Sequence, residues 1–181
     1  MPEENLKKIH VDLPNHWAID GESMWAEELG NDLYRIENVP FHAYGLNYRD
    51  VVRAAPDSSE TIPEIREVVE PSGRRTIRVF FDKAVDQVAQ SKLLDEFKQY
   101  DASYEPANDR LIAIDIKSEG SYGAVYDQLE EWIEAGLLEF ETCEARAPGS
   151  FDNVEDTADG AAWQCAAPAF WLPSLSGAAA C

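Results

Sequence analysis

The residues with the most chemistry to offer are Cys165, Ser174, Ser176 and Cys181, set in the uncharged run GAAWQCAAPAFWLPSLSGAAAC at 160–181. Loss of water from a serine leaves an electron-poor alkene. A cysteine thiolate, the nucleophilic form of the thiol, adds to such an alkene and closes a thioether ring. The chemistry needs both residue types in an accessible segment, and these four supply two thiols and two alkene precursors. Cys181 stands five residues after Ser176. Trp163, Phe170, Trp171 and Leu172 in the same run are candidates for a different task, anchoring in a partner's groove, since aromatic side chains are common binding hot spots.

The rest of the chain offers less. His10 and His16 flank Leu13-Pro14 and His42 follows Phe41, with no HExxH or comparable metal spacing. They read as surface or core histidines. Cys143 would need a base such as His42 beside it to act as a nucleophile, and a passive strand cysteine is the expected reading. Asp50, Glu67 and Glu70 invite an acid–base assignment, but 35 acids guarantee chance neighbours, and only a cleft pair with divergent pKa values would count. The glycines form no dinucleotide or Walker pattern. Trp25, Tyr34, Phe41 and Tyr44 suit the core of a small β-domain better than a ligand groove. No catalytic residue, metal site or cofactor is expected.

Charge divides the chain. All 15 Lys and Arg lie within residues 1–146, and of the 35 acids only Asp152, Glu155, Asp156 and Asp159 fall after them, in an acidic connector. The net charge of −20 and pI of about 4.3 argue against nucleic acid, whose phosphates require clustered Lys and Arg. A protein partner, either a basic protein or a maturation enzyme, is the expected one. Three scattered cysteines make no disulfide framework, and the first residues, MPEENLKKIHVDL, carry no apolar signal region. A cytoplasmic protein with reduced thiols is expected. A membrane span is not, because Gln164, Pro168, Pro173, Ser174, Ser176 and Gly177 interrupt the apolar run and no Lys or Arg flanks it.

Ile9, Val11 and Leu13 alternate with polar residues as a half-buried strand does. Short β-prone runs follow at 23–29, 33–36, 41–44, 51–52 and 65–69, separated by turn residues, which predicts a small antiparallel sheet or partial barrel. From Arg75 the order becomes strand (76–81), helix (apolar at Val85, Val88, Ala89, Leu93, Phe97 and Tyr100), strand (102–105), strand (110–116), helix (Val125, Leu129, Trp132 and Ile133), strand (138–143). Ser121 is placed to cap the second helix and Gly136 to end it. That order predicts a ferredoxin-like βαββαβ unit. The expected organisation is therefore α+β: a β-rich subdomain at 1–74, a ferredoxin-like subdomain at 75–147, an acidic linker at 148–159 and a disordered apolar tail at 160–181.

Ser23-Met24-Trp25-Ala26-Glu27, Tyr34-Arg35-Ile36-Glu37-Asn38-Val39-Pro40-Phe41, Tyr44-Gly45, Asp50-Val51-Val52, Glu70-Pro71-Ser72-Gly73, Arg78-Val79 and Glu141-Thr142-Cys143-Glu144-Ala145-Arg146 occur in this order. In these runs the chain resembles a family of small bacterial proteins built on a domain of unknown function, over roughly residues 8–150. Arg49 stands where that family usually has Gly. The resemblance implies a fold and no activity, and it sets the tail apart as an addition beyond the family's usual end. Residues 163–181 are in turn similar to the core of a ribosomally made, post-translationally modified peptide of the thioether kind or, with Cys181 five residues after Ser176, of the kind whose last cysteine is decarboxylated and closed into an aminovinyl-cysteine ring, and Gly160-Ala161-Ala162 resembles the small-residue site at which a leader is removed.

The resulting expectation is a non-catalytic precursor whose folded acidic leader presents a C-terminal Ser/Cys peptide to modifying enzymes. The alternative is an acidic regulatory, inhibitory or immunity-type binding protein that uses the aromatic tail for interaction.

Overall fold

The computed structural model describes residues 6–16, 19–56, 61–146 and 150–151. Five strands, β1 (Leu6–Asp12), β2 (Gly21–Gly30), β3 (Leu33–Ile36), β4 (Val51–Ala55) and β5 (Glu64–Glu70), form a closed barrel in sequence order. Neighbours pair antiparallel, and the barrel closes where β1 meets β5 in parallel at His10 and Glu64, with His10 N–H donating to the Pro63 carbonyl at 2.8 Å. The closure goes beyond the partial barrel expected from the sequence. Register shifts at Val51/Val52 and Arg53/Ala54 in the β4–β5 pairing are the bulges that bend a flat ladder into a tight curve. Ile9, Val11, Met24, Ala26, Ile36, Val52, Ala54 and Ile65 fill the interior, as strand alternation requires.

A four-stranded sheet follows, built from β6 (Arg75–Phe81), β7 (Ala102–Pro106), β8 (Leu111–Ile116) and β9 (Leu138–Thr142) in the spatial order β7-β8-β6-β9, with every neighbouring pair antiparallel. Helix α1 (Gln87–Asp95), extended by a 3-10 turn to Tyr100, lies between β6 and β7 in the chain, and α2 (Tyr122–Glu134) between β8 and β9. The helices supply Leu94, Val125, Leu129 and Trp132 to a core shared with Ile77, Val79, Phe81, Ile112, Ile114 and Ile116. β8 is buried at every residue, so the sheet is covered on both faces, and the positions of β6 that face away from this core, Thr76 and Arg78, are buried as well. Asp86 caps α1 through its bond to Ala89 N–H at 2.8 Å.

Several local expectations fail for identifiable reasons. The run at 41–44 is not a strand: the backbone N–H groups of Phe41, His42 and Ala43 are taken by a side chain, described below, rather than by a ladder. Trp25 is 48% exposed because Glu22, Met24 and Ala26 hold the inward positions of β2, leaving Trp25 on the outer face. Val88 and Ile133 face solvent, and Gln90 takes the buried place on α1. Ser121 occupies the cap position of α2 but its hydroxyl makes no capping bond. Gly136 does end that helix, at φ +70. Arg49 also has φ +70, the left-handed region that favours glycine.

Candidate functional site at the junction of barrel and sheet

Four of the buried polar side chains, Glu22, Asp50, Thr76 and Arg78, lie where the 37–50 segment of the barrel meets the outer face of β6 and β9. Glu22 starts the arrangement. It sits on the inward face of β2, only 8% exposed, and its carboxylate accepts three consecutive backbone N–H groups: Phe41 on Oε1 at 2.7 Å, His42 and Ala43 on Oε2 at 2.9 and 3.0 Å. Hydrogen bonds to an ionised acceptor are the strong ones, and these replace the strand pairing that 41–44 lacks. Asp50 closes the other end of the segment, accepting Asn47 N–H at 2.8 Å and Ser72 N–H at 2.7 Å. Burial raises the Asp50 carboxyl above its usual range even though these N–H donors pull the other way.

So held, the segment presents Tyr44 and the Phe41 carbonyl to the sheet. Arg78 of β6 is 3% exposed. It donates from Nη1 to the Phe41 carbonyl at 2.9 Å, stacks with its guanidinium 4.4 Å from the centre of the Tyr44 ring, and places Nε 3.1 Å from Glu141 Oε1 as an ion pair. Its Nη2 and the Thr76 hydroxyl have no hydrogen-bond partner among the described residues. Tyr44 donates its hydroxyl to Glu141 Oε2 at 2.9 Å, and burial, with Glu141 beside it, pushes the phenol up to about 12. Val39 N–H reaches Glu105 of β7 at 3.4 Å, a second polar tie between the barrel segment and the sheet.

His42 stacks edge-on against His16, ring centres 5.1 Å apart. Burial, opposed by Glu22 and reinforced by His16 and Arg78, lowers its proton affinity below the ordinary histidine value. His10 lies apart on β1, with its ring nitrogens 3.1 Å from Ser23 and Asp12 oxygens. Cys143 is 2% exposed and burial pushes its thiol up to about 12, so at neutral pH it is not the thiolate that nucleophilic chemistry requires. Asp50, Glu67 and Glu70 are not brought into one cleft: Asp50 is occupied by backbone, Glu67 pairs with Arg53 at 2.9 Å on the barrel surface, and Glu70 lies exposed on β5. Among the described residues no group of three or more His, Cys, Asp or Glu is arranged to hold a metal ion, and no helix is long and apolar enough to cross a membrane.

The junction is thus a polar weld: a buried arginine, a tyrosine and a glutamate joining two separately cored units. The two residues that organise it, Glu22 and Arg78, were not singled out from the sequence, although each left a sign there: an acid on the inward phase of β2, and an arginine inside the apolar run of β6. The tail residues Cys165, Ser174, Ser176, Cys181, Trp163, Phe170, Trp171 and Leu172 lie outside the described residues.

A domain of unknown function, DUF4265, matches residues 22–140. No curated protein matches the chain. Among solved structures, a hypothetical protein from Neisseria gonorrhoeae is similar in fold: TM-score 0.65 and 15% sequence identity, covering 77% of this chain and 94% of that one. At that identity the likeness speaks for the fold alone.

Proposed function

The chain belongs to the family defined by the domain of unknown function DUF4265, and we propose that this domain serves as a non-catalytic leader which presents the C-terminal Ser/Cys peptide to modifying enzymes. One observation carries the reading. The family match ends at residue 140, while Cys165, Ser174, Ser176 and Cys181 all lie beyond it in an uncharged segment reached through the acids Asp152, Glu155, Asp156 and Asp159. The body supplies bulk and charge to grip; the tail supplies the reacting groups. The second unit of the body reads as a ferredoxin-like split βαβ module, supported by the spatial order β7-β8-β6-β9 with one helix in each crossover.

The experiment is co-expression with the neighbouring genes followed by intact-mass measurement and fragmentation. The reading expects loss of one water per modified serine at Ser174 or Ser176, with the thiols of Cys165 and Cys181 no longer open to alkylation where rings have closed. An unmodified tail in that experiment removes the proposal.

A second reading, an acidic binding protein, draws on the stretch 118–145. It holds eight acids (Glu119, Asp127, Glu130, Glu131, Glu134, Glu139, Glu141 and Glu144) and no Lys or Arg. Glu130, Glu131 and Glu134 crowd the C-terminal turns of α2, where the helix dipole disfavours negative charge, and no basic residue relieves them in the last turn. This reading expects a basic protein partner recovered by the folded body together with the tail, with capture weakened by Trp171→Ala. Capture unaffected by that substitution removes the tail from the interaction.

A further inference from the structure

β9 ends at Thr142, but the chain does not leave the fold there. Gly45 N–H donates to the Cys143 carbonyl at 2.7 Å, and Tyr44 N–H donates to the Phe151 carbonyl at 2.8 Å. Phe151 packs against the barrel core. Arg146 lies on the same corner, its guanidinium 4.6 Å from the centre of the Tyr44 ring and Nη2 3.6 Å from Glu141 Oε2. Gly45 makes the approach possible. It has φ +80, and a Cβ there would sit 2.7 Å from the Ser150 carbonyl oxygen and 3.1 Å from Ala145 Cβ. Only a residue without a side chain meets both conditions.

Ser150 and Phe151, which the charge pattern assigns to the connector, are therefore bound to the barrel. Two successive amides of one corner hold carbonyls eight positions apart in the chain. We propose that this two-point attachment is a clamp that fixes where the C-terminal peptide departs: from the barrel corner at Tyr44 and Gly45, not from the edge of the second sheet. Its functional consequence rests on the precursor reading. At roughly 3.5 Å per residue fully extended, the chain beyond Phe151 reaches Cys165 within about 50 Å and Ser174 within about 80 Å. A maturation enzyme gripping the body must place its active centre inside that radius of the clamp.

The test is amide hydrogen exchange on the full-length chain in three forms: unaltered, Phe151→Ala and Phe151→Leu. In the unaltered protein the Tyr44 and Gly45 amides exchange far more slowly than in a free chain. Phe151→Ala speeds Tyr44 by about tenfold or more, since each 1.4 kcal/mol of lost local stability is a factor of ten. The amides of Val79 and Ile114 in the central sheet stay unchanged, and Phe151→Leu restores most of the Tyr44 protection. Tyr44 exchanging at the free-chain rate in the unaltered protein, or a rate indifferent to Phe151→Ala, overturns the clamp. Where Phe151→Ala loosens Val79 and Ile114 too, the unaltered protein and Phe151→Leu decide. The two proposals fail separately: an unmodified tail with a protected Tyr44 leaves the clamp standing, and a modified tail with an unprotected Tyr44 leaves the precursor reading standing.

Discussion

Replacing Glu22 with alanine is the most demanding perturbation of the junction. The substitution strips acceptors from Phe41, His42 and Ala43, whose N–H groups bond to the carboxylate at 2.7, 2.9 and 3.0 Å. Hydrogen bonds to charged groups are each worth about 1.5–3 kcal/mol. The lower end for all three, less some relief from water entering the vacated space, gives an expected loss of about 3–5 kcal/mol. That is a large share of the ~5–15 kcal/mol that stabilises a typical domain. Glu22→Gln discriminates the cause. Its amide oxygen in the place of Oε2 keeps the bonds from His42 and Ala43, while the amide nitrogen opposes Phe41 N–H, so the expected loss falls to about 1.5–3 kcal/mol. Equilibrium urea unfolding followed by tryptophan fluorescence reads both, with an unchanged slope showing that the native state and not the unfolded ensemble was altered. A Glu22→Ala protein within about 1 kcal/mol of the parent would refute the claim that this carboxylate organises the segment.

Two further outcomes follow from the same geometry. The folded-state pKa of His42 is depressed, by burial first and by His16 and Arg78 next, against Glu22 and Glu141. Its contribution to stability is therefore intact above the ordinary value of 6.5 and is lost as pH falls below it, where the unfolded chain binds the proton more readily. Between that value and about pH 5 the parent should lose stability faster than His42→Gln, by no more than about 1.4 kcal/mol per pH unit. Asp50, Glu105 and Glu139, raised by burial, act in the opposite direction in both proteins and cancel in the difference; equal pH slopes would count against a buried neutral His42. The buried Cys143 thiol, pushed up to about 12, should resist alkylation in the native protein and react once urea unfolds it, as followed by peptide mass spectrometry. Prompt native labelling at Cys143 would mean that the junction opens.

The barrel and the second sheet were readable because their signals are local. Ile9, Val11 and Leu13 alternate; Gly30, Asn31 and Asp32, turn-forming residue types, all adopt positive φ in the β2–β3 turn; and the apolar spacing of α2 places Val125, Leu129 and Trp132 inward. Closure of the barrel was not readable, because one parallel contact between β1 and β5 depends on bulges that no periodicity records. The 41–44 run was misread for a related reason. Its aromatic residues, Phe41 and Tyr44, resemble those of a strand, but Glu22, 19 residues or more upstream, captures the amides of Phe41, His42 and Ala43. Pairings of this kind live in tertiary contacts, as do the weld of Arg78 to Phe41, Tyr44 and Glu141 and the return of Phe151 to Tyr44. The sequence carried only their traces: an acid, Glu22, on the apolar phase of β2, and an arginine, Arg78, flanked by Ile77 and Val79 in an otherwise apolar run.

The central claim, that a folded acidic body carries a tail made to be chemically altered, is tested most directly by the intact mass of the full-length chain made alongside its neighbouring genes. The account predicts a mass lower by whole waters, mapped by fragmentation to Ser174 or Ser176, with Cys165 or Cys181 closed to alkylation. A mass equal to that of the chain made alone, with both tail cysteines freely alkylated, would contradict it.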